Sequence, residues 1–141
     1  MTRIISIDIG TSRVKCALFD ERGAMSCLES QRLKRTDSPD VQDADEWFST
    51  VCKLLQMMTA KTGSDVEAVA LTGNMHALLG VDAAGSPVAP ARLWSDNRAL
   101  RESDELNNRF GKLLLEKYGN RSIPVFTLPK ILQMKREQPV K

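Results

Sequence analysis

Apolar and polar positions alternate in short blocks along the first third of the chain. Ile4 to Ile7 reads as a buried strand that ends at Asp8-Ile9-Gly10-Thr11-Ser12. Val14 to Phe19 predicts a second strand, with Val14, Cys16 and Leu18 on one face and Lys15, Ala17 and Phe19 on the other. Asp20-Glu21-Arg22-Gly23 is a turn. A third strand is expected from Ala24 to Leu33, so the chain opens with antiparallel hairpins rather than a strand-helix unit.

Residues 36–41 are polar and contain Pro39, which makes a loop. Asp43 followed by Glu46 resembles a capping box with Asp43 as the cap. The helix behind it places Trp47, Val51, Leu54, Leu55 and Met58 on one face, and Gly63 ends it. Val66 to Leu71 is the next strand, followed by Thr72-Gly73-Asn74-Met75-His76 and an extended stretch from Leu78 to Val81. Asp82 to Ser86 is a turn, and Val88 to Trp94 is expected to return as a strand broken by Pro90. A helix is expected from Asp96 to Asn108, capped by Ser95 or Asp96. A further helical stretch runs from Phe110 to Tyr118. Leu128, Ile131, Leu132 and Met134 make a short last helix that Pro129 starts well.

Composition narrows the partners. The 141 residues suit one domain, 42% hydrophobic and 27% charged. Twenty Lys and Arg stand against 18 Asp and Glu, a net +2, too weak a field to imply nucleic acid or an anionic membrane. No apolar run approaches the roughly 18 residues of a membrane span, and Asp8 interrupts the N-terminal one. Cys16, Cys27 and Cys52 are unevenly spaced and form no metal-ligand pattern, which points to reduced thiols and a cytoplasmic setting.

Three stretches carry candidate chemistry. In Asp8 to Lys15, Gly10 lets backbone N–H groups approach an anion, Thr11 and Ser12 add hydroxyl donors, and Lys15 adds a cation. Asp8 repels phosphate, so its useful partner is Mg²⁺, held through water beside a transferring phosphoryl group. The same residues also suit an ordinary hairpin in which Asp8 and Thr11 satisfy turn amides. In the second stretch, Asn74 can donate and accept toward hydroxyls, and His76 is the single histidine. A structural histidine fits that position as well, and Met75 alone reads as core. In the third, the Trp94 ring can pack on the C–H face of a sugar while Asp96 accepts from its hydroxyls. The alternative has Trp94 in the core, Asp96 as a helix cap and Arg98 as its surface partner. One histidine cannot build a Ser-His-Asp set, and no zinc set is present.

These pieces, in this order, resemble the FGGY family of carbohydrate kinases. Ile7-Asp8-Ile9-Gly10-Thr11-Ser12 is similar to the family's first phosphate motif, shared loosely with actin, hexokinase and the heat-shock ATPases. Asn74-Met75-His76-Ala77-Leu78, then Val81-Asp82, the Gly85 turn and Leu93-Trp94-Ser95-Asp96-Asn97-Arg98 are similar to its sugar-binding stretch. The Met75-His76 pair resembles xylulokinases and gluconokinases; glycerol kinases carry an Arg-Glu pair there. Phe126-Thr127-Leu128-Pro129-Lys130-Ile131-Leu132 resembles a xylulokinase segment that leads a helix.

The resemblance implies an α/β fold, the N-terminal part of a ribonuclease-H-like (actin-like ATPase) domain with a mixed sheet and flanking helices. Residues 1–141 would be the beginning of the first kinase domain, with the rest of that domain, the ATP-binding second domain and the catalytic base all beyond residue 141. It implies ATP and Mg²⁺ as cofactors, with Asp8 catalytic and positioning the metal through water. Gly10, Thr11, Ser12 and Lys15 would meet the nucleotide phosphates. Asn74, Met75, His76, Trp94 and Asp96 would meet the sugar. The sugar is xylulose-like first, with gluconate or another polyol second, and a homodimer is open. A non-catalytic sugar-binding or regulatory fragment that kept the fold is the alternative of a different class.

Overall fold

The computed structural model describes residues 3–63 and 65–137, which fall into two compact units. In chain order the elements are β1 (Arg3–Ile9), β2 (Arg13–Asp20), β3 (Met25–Arg32), β4 (Val41–Gln42) and α1 (Ala44–Thr62). They continue with β5 (Ala68–Gly73), β6 (Ala91–Arg92), α2 (Leu100–Tyr118) and α3 (Thr127–Glu137). Among the described residues, the first unit takes 3–38, 42–63 and 65–74, and the second takes 39–41 and 75–137.

In the first unit a four-stranded sheet has the order β3-β2-β1-β5. The hairpins β1–β2 and β2–β3 are antiparallel, as their alternation predicts, and β5 joins β1 in parallel after the crossover through α1. The sheet is therefore mixed. Ile5 stands opposite Leu18 and Ile7 opposite Cys16, so these four side chains share one face. With Val14 and Leu33 they bury against Leu54 and Met58 of α1, flanked by Trp47, Val51 and Leu55. That is the helix face its 3.6-residue period predicts.

The ends of α1 follow its sequence with one change. Asp43 caps the helix by accepting from the Asp45 N–H at 2.9 Å. Glu46 does not close the reciprocal half of a capping box. Its carboxylate accepts instead from the Lys34 N–H at 2.6 Å, and the Asp43 N–H is satisfied by the Gln42 side chain at 3.1 Å. Gly63 ends the helix at φ 80°, a backbone that L side chains rarely adopt, and donates to the Thr59 carbonyl. The strand expected over Val66 to Leu71 lies two residues later, and Val66 packs against the core instead.

In the second unit, antiparallel bridges join Leu78 to Arg92 and Val81 to Pro87 around a turn whose Asp82 carboxylate accepts from the Ala84 and Ser86 N–H groups. The strand expected over Val88 to Trp94 is only the two residues of β6, because Pro90 lacks a ladder donor. The helix expected to start at Asp96 begins at Leu100, and neither Ser95 nor Asp96 caps it; Ala99 stands at the cap without a side-chain bond. The Asp96 carboxylate is taken by arginines. The two expected helical stretches are one 19-residue helix that runs through Gly111. In α3, Pro129 is the third residue, in the first turn where a missing N–H costs nothing. Its apolar pattern misleads, since Leu128 and Ile131 are half exposed while Pro129 and Lys130 are buried.

Cys16, Cys27 and Cys52 are all free thiols. Cys16 is fully buried in the sheet-helix core, and burial pushes its thiol up to about 11. At pH 8 a thiol-specific disulfide reagent is expected to label Cys27 and Cys52 in the native protein and Cys16 only after denaturant is added. Native-state labelling of Cys16 at the rate of the other two would show that this core is open.

Candidate functional site

The phosphate-loop candidates lie in the first unit at the β1–β2 turn. The Gly10 N–H donates to the Arg13 carbonyl at 3.0 Å, closing the turn. A Cβ on Gly10 would stand 2.8 Å from that carbonyl oxygen, so the turn as folded excludes every other residue. Thr11 and Ser12 are exposed at its tip. The antiparallel register puts Asp8 directly opposite Lys15, on the face away from α1. Their charged groups are 3.6 Å apart and each about half exposed. A pair of that kind contributes about 1 kcal/mol or less, so Lys15 can exchange Asp8 for another anion at small cost.

Asn74 also belongs here. Its amide donates to the Ile9 carbonyl at 3.1 Å, and its oxygen accepts from the Thr11 hydroxyl at 2.6 Å. The parallel pairing of β1 with β5 delivers it, since Ile9 and Gly73 are partners at the end of the ladder. The residue expected at sugar hydroxyls thus braces the turn expected at phosphate.

These residues fit a hard divalent cation of a particular kind. Among the described residues no three His, Cys, Asp or Glu side chains gather into a cage. One half-exposed carboxylate beside a tight turn suits an ion held mainly by water and phosphate oxygens, which is how magnesium is commonly bound.

The sugar candidates Met75, His76, Trp94 and Asp96 lie in the second unit. Met75 and Trp94 are exposed, at 73% and 52%. His76 is exposed too, and its ring packs on Phe126 at 4.8 Å between centroids, with 39° between the planes. Its backbone sits at φ 57°, the left-handed region, the single such non-glycine among the described residues. An L-residue held there costs about 1 kcal/mol or more. Behind it, Leu106, Leu113, Phe126, Leu128 and Pro129 line an apolar hollow of about 610 Å³. So apolar a lining does not suit a polyol.

Asp96 is fully buried, and the structure gives its oxygens other work. It accepts from Arg92 Nε at 2.6 Å, and from the Arg98 backbone N–H at 3.1 Å, Nε at 2.9 Å and Nη2 at 2.9 Å. Arg92, itself buried, also donates to Gln133 of α3 at 2.6 Å. The carboxylate expected to accept from a sugar instead fixes the 92–98 loop that carries Trp94. Burial alone would raise the Asp96 carboxyl, but the Arg98 and Arg92 hydrogen bonds overcome it and hold the group well below the usual carboxylate range.

Sequence reading assigned no role to Lys130. It is fully buried on α3, and its Nζ donates to the carbonyl of His76 at 3.1 Å and to that of Leu93. It therefore links the two loops that carry the sugar candidates. The signal lay in the Phe126 to Leu132 segment, where a lysine follows Pro129 at the start of a helix.

Residues 3–141 match the N-terminal domain model of the FGGY family of carbohydrate kinases. The xylulose kinase of Lactococcus lactis subsp. lactis (strain IL1403) is 32% identical over 146 residues, covering 99% of this chain and 29% of that protein. The crystal structure of a xyloylose kinase from Brucella ovis superposes with a TM-score of 0.85 at 28% identity, over 95% of this chain and 29% of that one. A gluconate kinase from Lactobacillus acidophilus gives 0.83 at 25% identity, over 96% and 28%. The chain thus spans under a third of the length of these three relatives. The fold is the α/β, mixed-sheet beginning of an actin-like ATPase domain, as the resemblance implied. Among the described residues no helix is long and apolar enough to cross a membrane.

The Asp96 network has a pH signature. A carboxylate whose folded pKa is depressed stabilises above its unfolded value, near 3.9, and that contribution is lost as pH falls further toward the folded value. Unfolding free energy is expected to drop below about pH 4 in the wild type and to drop less steeply in Asp96→Asn. At neutral pH, Asp96→Ala is expected to cost about 3–5 kcal/mol by leaving Arg92 buried without its partner. Denaturant titrations across pH check both, and parallel acid profiles for wild type and Asp96→Asn would remove Asp96 as the brace.

Proposed function

The chain belongs to the FGGY family of carbohydrate kinases, and we propose that it forms the N-terminal part of an enzyme that transfers the γ-phosphoryl group of ATP to a sugar hydroxyl. The observation that carries this reading is the turn at Gly10, a close backbone approach flanked by two hydroxyls, a carboxylate and an exchangeable ammonium. In the ordinary-hairpin alternative Asp8 and Thr11 would satisfy turn amides; here the Asp8 carboxylate faces Lys15 and the Thr11 hydroxyl donates to Asn74. The set suits phosphoryl transfer, where the protein mostly supplies position and charge.

In this reading the turn's backbone N–H groups, with Thr11 and Ser12, bind the phosphates, and Lys15 leaves Asp8 to join them. Asp8 then orients a magnesium ion through water. The ion, when bound, neutralises charge on the transferring group. Asn74 Oδ1 holds the Thr11 hydroxyl, which turns to phosphate when the nucleotide binds, since one O–H donates to one acceptor at a time. Met75, His76 and Trp94 form the sugar wall: the imidazole offers a donor and an acceptor when neutral, Met75 an adaptable apolar side, and Trp94 an aromatic face. Asp96 acts at one remove, by fixing the Trp94 loop. The base that takes the sugar's proton and most of the adenine site would come from chain beyond residue 141. A reducing, cytoplasmic setting suits the three free thiols.

A xylulose-like ketose is the first choice of substrate, since the Met75-His76 pair and the xylulose kinase relatives both favour it. Gluconate is second, on the likeness to the gluconate kinase. The full-length protein with ATP and magnesium is expected to phosphorylate D-xylulose with a higher kcat/KM than gluconate or glycerol. No turnover of any of the three would favour a sugar-binding or regulatory protein that kept the fold.

Two substitutions separate the roles in the full-length protein. Asp8→Asn is expected to lower kcat by about 100-fold or more while the sugar KM moves less than about twofold, because the carboxylate acts where charge develops. A raised sugar KM with unchanged kcat would make Asp8 a pocket residue. His76→Ala is expected to raise the sugar KM by about tenfold or more, from ~1–3 kcal/mol of lost hydrogen bonding, and to leave the ATP KM near the wild-type value. Equal losses for ATP and sugar would make His76 structural.

A further inference from the structure

A lysine buried at 0% exposure is a costly residue to keep, because its ammonium must be satisfied where water cannot reach. Lys130 meets that cost with two backbone carbonyls, His76 at 3.1 Å and Leu93. Burial pulls its pKa below the usual lysine range, and the charges of Asp96 and Asp40 offset this only in part while Arg92 adds to it. The two carbonyls belong to different loops. One is the carbonyl of His76 itself; the other immediately precedes Trp94. A single side chain on α3 therefore sets the distance between the loop carrying Met75 and His76 and the loop carrying Trp94.

The choice of His76 as acceptor is informative. That residue holds φ 57° without being glycine, and such a conformation persists only when its surroundings over-determine it. Two contacts grip it from opposite ends. Phe126 holds the ring at 4.8 Å, and Lys130 holds the carbonyl. Phe126 lies in the bend just before α3 and Lys130 in its first turn, so one short segment supplies both grips. A lysine suits the task better than an arginine, since a compact ammonium can point separate N–H groups at two carbonyls in different directions.

We infer that Lys130 is a positioning residue for the sugar site, holding His76 in its left-handed conformation and fixing the two loops that face the sugar, without part in nucleotide binding. This rests on reading Met75, His76 and Trp94 as the sugar site. A lysine that merely fills the interior would weaken every activity through instability. A positioning lysine acts on sugar recognition, through His76.

The test is a double-mutant cycle in the full-length protein, with D-xylulose and ATP as the varied substrates. Lys130→Met is expected to raise the sugar KM by about tenfold or more and the ATP KM by less than about twofold. In a His76→Gly background, where the backbone has no strain to be held against, adding Lys130→Met is expected to raise the sugar KM by less than about twofold more. A wild-type sugar KM in Lys130→Met, equal losses for sugar and ATP, or the full effect persisting with His76→Gly would each overturn the inference. If Lys130→Met does not fold, Lys130→Gln, whose amide nitrogen is one bond short of the lysine ammonium and cannot span both carbonyls, carries the same cycle with the same expected outcomes. A second readout needs no turnover: the imidazole NMR signals of His76, assigned by their loss in His76→Ala, are shifted by the Phe126 ring. They are expected to move toward free-imidazole positions in the Lys130 variant, and unmoved signals would overturn the inference. A wild type that phosphorylates no sugar while these signals still respond to Lys130 would sink the kinase reading and leave the positioning role standing.

Discussion

Polar groups withdrawn from water must be satisfied by the chain itself, and this requirement shapes each loop that carries candidate chemistry here. In the second unit, Asp96 is wholly buried, so two arginines have to reach it, and Arg92 in turn ties the loop to α3 through Gln133. Lys130 is equally buried and draws in the His76 and Leu93 carbonyls. In the first unit the amide of Asn74 closes on Ile9 and Thr11. The apolar core could form with many loop geometries. These polar closures select one, because a missing partner for a buried charge costs several kcal/mol.

The two units reach rigidity by different routes. The first has a sheet whose period-two alternation sends Ile5, Ile7, Cys16 and Leu18 against α1 and leaves Asp8 and Lys15 facing each other on the far side. Side-chain parity alone thus places a carboxylate and an ammonium together next to the Gly10 turn. The second unit has little sheet and relies on charges and helix pairing. Arg136 of α3 reaches both Glu102 and Glu105 of α2, and Asn107 exchanges two hydrogen bonds with the backbone of Ser122. A network of that kind fixes positions strictly but adds less stability than an apolar core of the same size.

This difference also decides what could be read from the sequence. The strands β1 to β3, helix α1 and its Gly63 end were legible, because their pattern reflects burial on one face, and burial is what hydrophobic periodicity reports. The Gly10 turn was legible for a similar reason, since its geometry admits one residue type. The start of α2 was not. Asp96 looks like a helix cap by residue type, and only the arginines around it show why it serves elsewhere. Lys130 and the half-exposed Leu128 and Ile131 invert the usual rule for α3, since a lysine in a short helix reads as surface until its two carbonyl partners are seen. Asn74 was placed among chemically active residues, but its partner is the neighbouring turn, a contact set by parallel strand pairing that local pattern does not encode.

The backbone at His76 bears on any redesign of this chain. Its φ of 57° is a conformation in which glycine is the comfortable choice, and a procedure that scores backbone geometry alone would write glycine there. That edit would relieve local strain and raise the score of the loop. It would also delete the one imidazole in the chain and the ring that rests on Phe126. With His76 in its proposed role, stability gained at this position and recognition lost there are the same substitution, so optimising the fold here would work directly against the proposed site.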